Sequence, residues 1–201
     1  MYMGKYQTER EKIRKFIESK LGKRLREDQE DLKILSEGDL QSCVYHHLSD
    51  FFKKKKFSRW FILNKLPMGK KQDTKKIPDI VIARMDGEQT GNVRPIFLIE
   101  LKETEKYKEK AVEQDIRKLA GLIQKYKKLK ACFFVYSVYD DKLNSEEILE
   151  KIKVVRDKYL ERNQKRSKIF SIPINAVHEI KPPHSLDIWR KKRQKLRKFR
   201  Q

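Results

Sequence analysis

Hydrophobic residues recur at spacings of three and four along the first fifty positions, which is the period of a helix buried on one face. The first such stripe consists of Ile13, Phe16, Ile17 and Leu21. Gly22 is expected to end or kink that helix, and a second helix is predicted over 25–35. A third begins at Ser36. Its apolar stripe consists of Leu40, Val44, Leu48 and Phe51.

The segments that follow have the length and residue content of strands. They are 61–66, 77–84, 95–102, 131–139 and a last one near 169–174. Two of them, 95–102 (PIFLIELK) and 131–139 (ACFFVYSVY), are apolar on both alternating faces, which indicates a sheet covered by helices on both sides. Helices over 111–128 and 145–159 are available to cover it. The order predicts an α/β fold with a central mixed sheet of four to five strands flanked by helices.

Charge changes this picture by suggesting a partner. Lys and Arg number 50 against 29 Asp and Glu, and the formal net charge is +21. Such a field attracts polyanions, of which nucleic acid is the commonest, although a merely solvated lysine-rich surface would have the same composition. Residues 1–12 contain no hydrophobic targeting segment and the longest apolar stretch is far too short to cross a bilayer, so we expect an intracellular, cytoplasmic protein without a membrane partner.

The chain divides into three predicted regions: an N-terminal helical extension (1–35), a core domain (36–176) and a basic C-terminal tail (177–201). The segment 189–201 (WRKKRQKLRKFRQ) holds eight basic residues and no acid. Blocks of this kind are typical of tails that bind nucleic acid through its phosphates. The predicted phosphate contacts are Lys70, Lys71, Lys75, Lys76, Arg190, Lys191, Lys192, Arg193, Arg197 and Lys198.

Two carboxylates are predicted to meet at one end of the sheet. Residues 86–92 (DGEQTGN) form a strong turn signal between two strand segments. Paired positions in a hairpin have a constant sum, and the midpoint of Asp79 and Glu100 falls inside this turn. Lys102 lies two positions after Glu100 and therefore points to the same face.

Close carboxylates repel each other unless a cation lies between them. Their hard oxygens suit Mg²⁺ or Mn²⁺, and such an ion polarises a phosphodiester and activates a bound water. A neighbouring lysine orients that water or offsets charge on the phosphate. The alternative is purely structural, with Asp79 as a turn residue and with Glu100 and Lys102 at an exposed strand end.

The spacing of these residues resembles a family signature. Pro78-Asp79, twenty residues, and then Glu100-Leu101-Lys102 is similar to the motif of the PD-(D/E)xK nuclease superfamily, over about 36–138. The resemblance implies a restriction-endonuclease-like core and a Mg²⁺- or Mn²⁺-dependent DNA endonuclease. Asp79, Glu100 and the backbone carbonyl of Leu101 would then be metal ligands, and Lys102 would position or activate the attacking water.

Members of this superfamily often carry a further acid on the helix before the sheet. Glu37 extends the buried stripe of the third helix and is preferred over Asp39, which is placed to serve the helix N-terminus. On the following helix, Gln114 and Asp115 occupy a region where relatives often place another polar site residue. Asp115 could equally be a surface residue paired with Lys118 one turn later.

Other interpretations stay open. A nucleic-acid-binding protein on the same scaffold without catalysis, or a basic ribosome- or chromatin-associated protein with a chance motif, would share the charge. A homodimer is compatible with cutting both strands of a duplex. His47 lies near the buried stripe and is expected to be a core or supporting residue, since no histidine here has the partners of a zinc site.

Overall fold

The computed structural model of the protein describes residues 2–31, 33–65, 77–85, 93–104, 107–126, 128–138, 145–161 and 169–174. Its centre is one five-stranded sheet in which neighbouring strands follow chain order. The first three strands are antiparallel, and the last three run parallel to one another. The predicted α/β fold with a mixed, helix-flanked sheet is therefore confirmed. The strands are β1 (Trp60–Asn64), β2 (Ile80–Met85), β3 (Val93–Thr104), β4 (Ala131–Val138) and β5 (Ile169–Ile174).

Five α-helices surround this sheet in the part of the chain that the structure describes. They are α1 (Tyr2–Phe16), α2 (Gly22–Glu30), α3 (Glu37–Lys55), α4 (Glu109–Lys125) and α5 (Ser145–Glu161). A single π-helical turn, Ile17–Leu21, joins α1 to α2.

The expectation that Gly22 ends the first helix is wrong, while the alternative of a kink there stays a prediction. Gly22 has ordinary right-handed helical angles, φ −58° and ψ −40°, and the helix continues through it to Glu30. The irregularity is the π turn just before it. One glycine inside a helix costs only about 1 kcal/mol, and the burial of Ile17, Leu21 and Leu25 outweighs that cost.

The alternating faces of the strands form two separate apolar layers. Ile82, Phe97 and Phe133 pack with apolar residues of α1, α2 and α3. Val81, Leu98 and Phe134 point to the opposite face and pack with α4 and α5. This alternation explains why the central segments are apolar at nearly every position. The N-terminal helices contribute to the same core as the sheet.

Several predicted features lie outside the described residues. They include the turn at 86–92 and the basic tail at 177–201. All ten predicted phosphate contacts also lie there: Lys70, Lys71, Lys75, Lys76, Arg190, Lys191, Lys192, Arg193, Arg197 and Lys198. Within the described part of the chain, no helix has the length and apolar character needed to cross a membrane.

Candidate metal and active site

The pairing of β2 with β3 brings the two predicted carboxylates to the same end of the sheet. Ile80 pairs with Ile99 and Ile82 with Phe97, so the next position outward places Asp79 opposite Glu100. A bulge between Ile82 and Ala83 shifts the register only on the side nearer the turn. The register at the site therefore follows the constant-sum relation that the sequence predicted.

Backbone hydrogen bonds hold Asp79 in place. Its Oδ2 accepts a hydrogen bond from the backbone N–H of Leu101 at 2.8 Å, which joins the start of β2 to the end of β3. Its carbonyl oxygen accepts from the backbone N–H of Lys65 at 3.0 Å and from Nε2 of Gln41 at 3.1 Å. The carboxylate is therefore oriented before any ligand binds.

Glu100 is a buried acid with incomplete partners. Only 4% of the residue is exposed, and its Oε2 has no hydrogen-bond partner among the described residues. Burial and then the charge of Asp79 raise the pKa of Glu100 to about 8, against the opposing charge of Lys118. The ionised form of this carboxyl therefore needs more positive charge than the described residues supply.

Lys118 is the site residue that the sequence interpretation missed. Its Nζ donates to Oε1 of Glu100 and, at 3.2 Å, to the carbonyl of Ile77. Helix spacing makes Lys118 a potential ion-pair partner of Asp115, whereas in the structure its ammonium lies against Glu100. The helix α4 connects two parallel strands and packs across the sheet, which brings Lys118 to the end of β3. The feature of the sequence that could have indicated this position is that Lys118 lies directly beside the apolar stripe of α4.

Lys102 lies among acidic side chains. Its Nζ is 3.6 Å from Oε2 of Glu37, the first residue of α3. Burial raises the pKa of Asp115, the charges of Lys102 and Lys118 oppose this rise, and those of Asp79 and Glu37 add to it. Asp115 therefore belongs electrostatically to the site, while its neighbour on α4, Gln114, is exposed to solvent.

Glu37 and Asp39 have different local environments. Oδ2 of Asp39 accepts hydrogen bonds from the hydroxyl of Ser36 at 2.8 Å and from the backbone N–H of Leu35 at 3.3 Å. The backbone N–H of Asp39 donates in return to the Ser36 hydroxyl. Ser36 is thus the N-cap of α3 and Asp39 completes the capping arrangement, in keeping with its predicted place at the helix N-terminus, while Glu37 is the acid that faces Lys102.

The donor set suits a hard divalent cation that keeps some of its own water. Within the described ranges, no three His, Cys, Asp or Glu side chains are grouped closely enough to hold a metal by themselves. Mg²⁺ typically needs only one or two carboxylates, with waters and substrate phosphate completing its shell. Asp79, Glu100 and the backbone carbonyl of Leu101 fit this requirement. The partnerless Oε2 of Glu100 provides an acceptor for the cation.

The charge at this site contrasts with the rest of the chain. Four carboxylates lie close enough to influence one another, and two lysine ammonium groups, those of Lys102 and Lys118, oppose three of them; the carboxylates are those of Asp79, Glu100, Asp115 and Glu37. The excess is negative, in a protein whose formal net charge is +21. A local negative excess of this kind favours cation binding.

Comparisons with known proteins add no assignment to this geometry. No protein-family model matches the chain, and no curated protein or solved structure matches it significantly. The function is therefore inferred from the chemistry of the site and from the sequence.

Proposed function

We propose that this protein is a metal-dependent nuclease that hydrolyses phosphodiester bonds in DNA, acting as an endonuclease with Mg²⁺ or Mn²⁺. The convergence of Asp79 and Glu100 at one sheet end carries the proposal, because their repulsion and the burial of Glu100 call for a cation. The PD-(D/E)xK-like spacing of the same residues supports it. The formal net charge of +21 supports a polyanionic substrate.

Each residue has a role that follows from its position. Asp79, Glu100 and the Leu101 carbonyl would hold the metal, which would supply Lewis-acid activation of the phosphodiester and of water. Lys102 orients the attacking water or offsets charge that develops on the phosphate. Glu37 accepts the ammonium of Lys102 and keeps it at the sheet end. Lys118 keeps Glu100 paired before the metal binds.

The contact between Lys118 and Glu100 also favours a second candidate. An internal ammonium partly neutralises the buried acid without any metal, which would suit a nucleic-acid-binding protein on the same scaffold without catalysis. Such a protein would bind DNA with steep salt dependence and show no turnover. Cleavage with Mg²⁺ therefore separates the two candidates.

The test is cleavage of supercoiled plasmid with Mg²⁺, with and without EDTA. Asp79→Ala and Lys102→Ala are each expected to lower the rate at least about a hundredfold, because metal activation supplies several kcal/mol and each 1.36 kcal/mol is a factor of ten. EDTA should abolish cutting by the wild type. A panel of linear, branched, single-stranded and RNA substrates then defines the substrate class.

The matched control is Asp39→Ala, which removes a carboxylate only two positions from Glu37. It removes a helix cap and is expected to cost about 1 kcal/mol of stability, with cutting retained. Undiminished cutting by the Asp79 or Lys102 variant would refute the proposed site.

A further inference from the structure

A basic and aromatic groove lies between the end of α3 and β1. It encloses about 440 Å³ and opens to solvent. Its ten described lining residues include two lysines and five aromatic residues, but no acid. We call it the α3–β1 groove, and it is lined by Tyr45, Ser49, Phe52, Lys53, Lys56, Phe57, Ser58, Trp60, Phe61 and Ile62.

One face of α3 connects this groove to the candidate site. Tyr45, Ser49 and Lys53 follow one another at intervals of four residues and therefore share a face of the helix. Gln41, one turn earlier on that face, donates to the carbonyl of Asp79. From Gln41 to Lys55 the helix rises about 21 Å. The groove is thus the continuation of a surface that begins at the site.

Two lysines have unusual backbone conformations. Lys56 directly follows α3, and Lys65 directly follows β1. Lys56 has φ 55° and Lys65 has φ 48°, and they are the two non-glycine residues with positive φ in the described part of the chain. Lys56 is the left-handed C-cap that ends α3, a position that glycine usually occupies because it adopts this conformation without strain. Lys56 lines the groove, and the backbone N–H of Lys65 donates to the carbonyl of Asp79.

We propose that the α3–β1 groove binds the phosphodiester backbone of the DNA strand that the candidate site cuts. Lysine ammonium groups match phosphates in charge, and the exposed ring of Tyr45 offers a surface for a base or sugar. At 3.4 Å per nucleotide of one strand, the helix face spans about six phosphates. The inference rests on the proposed function for the identity of its ligand.

Adjacent lysines provide a matched comparison of variants. Lys53→Ala/Lys56→Ala removes two charges from the groove, whereas Lys54→Ala/Lys55→Ala removes two exposed charges from the same run that do not line it. Binding of a fluorescent 20-base-pair duplex is measured by anisotropy in EDTA across a salt series. The groove pair is expected to reduce the slope of log K against log salt by about 1.8, since each phosphate contact contributes about 0.9. The control pair should change it by less than half as much.

Lys56→Gly separates loss of the ammonium from loss of folding. Glycine relieves the positive φ, so the melting temperature should stay the same or rise while the salt slope falls by about 0.9. Equal effects of the two lysine pairs, or unchanged binding by Lys56→Gly, would overturn the proposal. Equally tight, groove-dependent binding of poly-glutamate would also overturn it in favour of an acidic protein partner.

The binding assay needs no catalysis, so the two proposals can fail separately. A groove-specific binding defect in a protein that never cuts DNA would leave the groove standing and remove the nuclease. In the opposite case, the wild type cuts DNA with metal, but the groove pair and the control pair of variants bind DNA equally well. That result would leave the nuclease standing and remove the groove proposal.

Discussion

The two faces of the sheet each bury polar groups near the C-terminal end of β3, and the groups differ in how their charges are balanced. On the α4 side, Glu100 lies near another acid, and burial together with Asp79 raises its pKa to about 8. On the α2–α3 side, Asp28 accepts contacts from Nε2 of His47 at 2.6 Å and Nζ of Lys33 at 3.2 Å. Burial alone would raise the pKa of Asp28, but those two partners outweigh it and lower the pKa.

The difference separates a polar cluster whose charges are balanced from one whose charges are not. The Asp28 cluster joins α2 to α3, and its neighbour Gln29 donates to the hydroxyl of Ser137 on β4 at 3.1 Å. Opposite charges there favour the ionised acid and stabilise the fold. At the candidate site, burial and the like charge of Asp79 disfavour the ionised acid. Oε2 of Glu100 also has no hydrogen-bond partner in the part of the chain that the structure describes. Perturbation of this kind is common where a ligand completes the arrangement.

The largest expected effect that distinguishes the clusters is the pH dependence of metal binding. Because the pKa of Glu100 is raised to about 8, a proton competes with the metal below that pH. The affinity for Mn²⁺, measured by calorimetry, should rise about tenfold from pH 6 to pH 7 and about a hundredfold in all before it levels off above pH 8.

Two controls accompany this pH series. Glu100→Gln should bind the metal weakly and without the pH-dependent rise, while Asp28→Asn should keep the wild-type profile. A flat profile in the wild type would contradict the assignment of Glu100 as a ligand.

The next largest effect is on folding. Asp28→Asn is expected to lower the free energy of unfolding at pH 7 by about 1.5–3 kcal/mol, the range for hydrogen bonds to a charged group. The lowered pKa of Asp28 means that its stabilisation is present above the unfolded value of 3.8 and is lost as pH falls through the folded value. Urea unfolding should therefore show the difference between variant and wild type shrinking below about pH 4.

The stability contributed by Glu100 is expected to change with pH in the opposite direction to that contributed by Asp28. Its raised pKa means that its favourable contribution is complete below the unfolded value of 4.5 and is lost as pH rises through about 8. In EDTA, the wild type should therefore lose stability as pH rises towards 8, and Glu100→Gln should not show that loss. Asp28→Asn should be less stable than the wild type by its full amount in the same pH range. Parallel pH profiles for the two variants would remove the distinction between the clusters.

The smallest effect concerns Lys118. Its ammonium lowers the pKa of Glu100, so Lys118→Met should move the pH midpoint of metal binding upward. The affinity at pH 7 should fall by about tenfold or less, a difference of at most about 1.4 kcal/mol. Lys102→Met is the matched control, because Lys102 lies against Glu37 and its loss should reduce cleavage rather than shift the midpoint. Identical shifts in the two variants would contradict this assignment.

Local pattern was sufficient where local geometry controls the outcome. The alternation of apolar residues predicted strands covered on both faces, because successive side chains of a strand point to opposite sides. The preference for Glu37 over Asp39 followed from helix periodicity in the same way. The pattern was less reliable at Gly22, since burial of its neighbours outweighed the weak intrinsic preference of one glycine.

By itself, the sequence determined the meeting of Asp79 and Glu100, because an antiparallel hairpin fixes which positions are opposite one another. The contact of Lys118 with Glu100, the proximity of Asp115 and the α3–β1 groove were decided only by the tertiary structure. The position and rotation of a packed helix depend on the whole core, and no short segment of sequence contains that information.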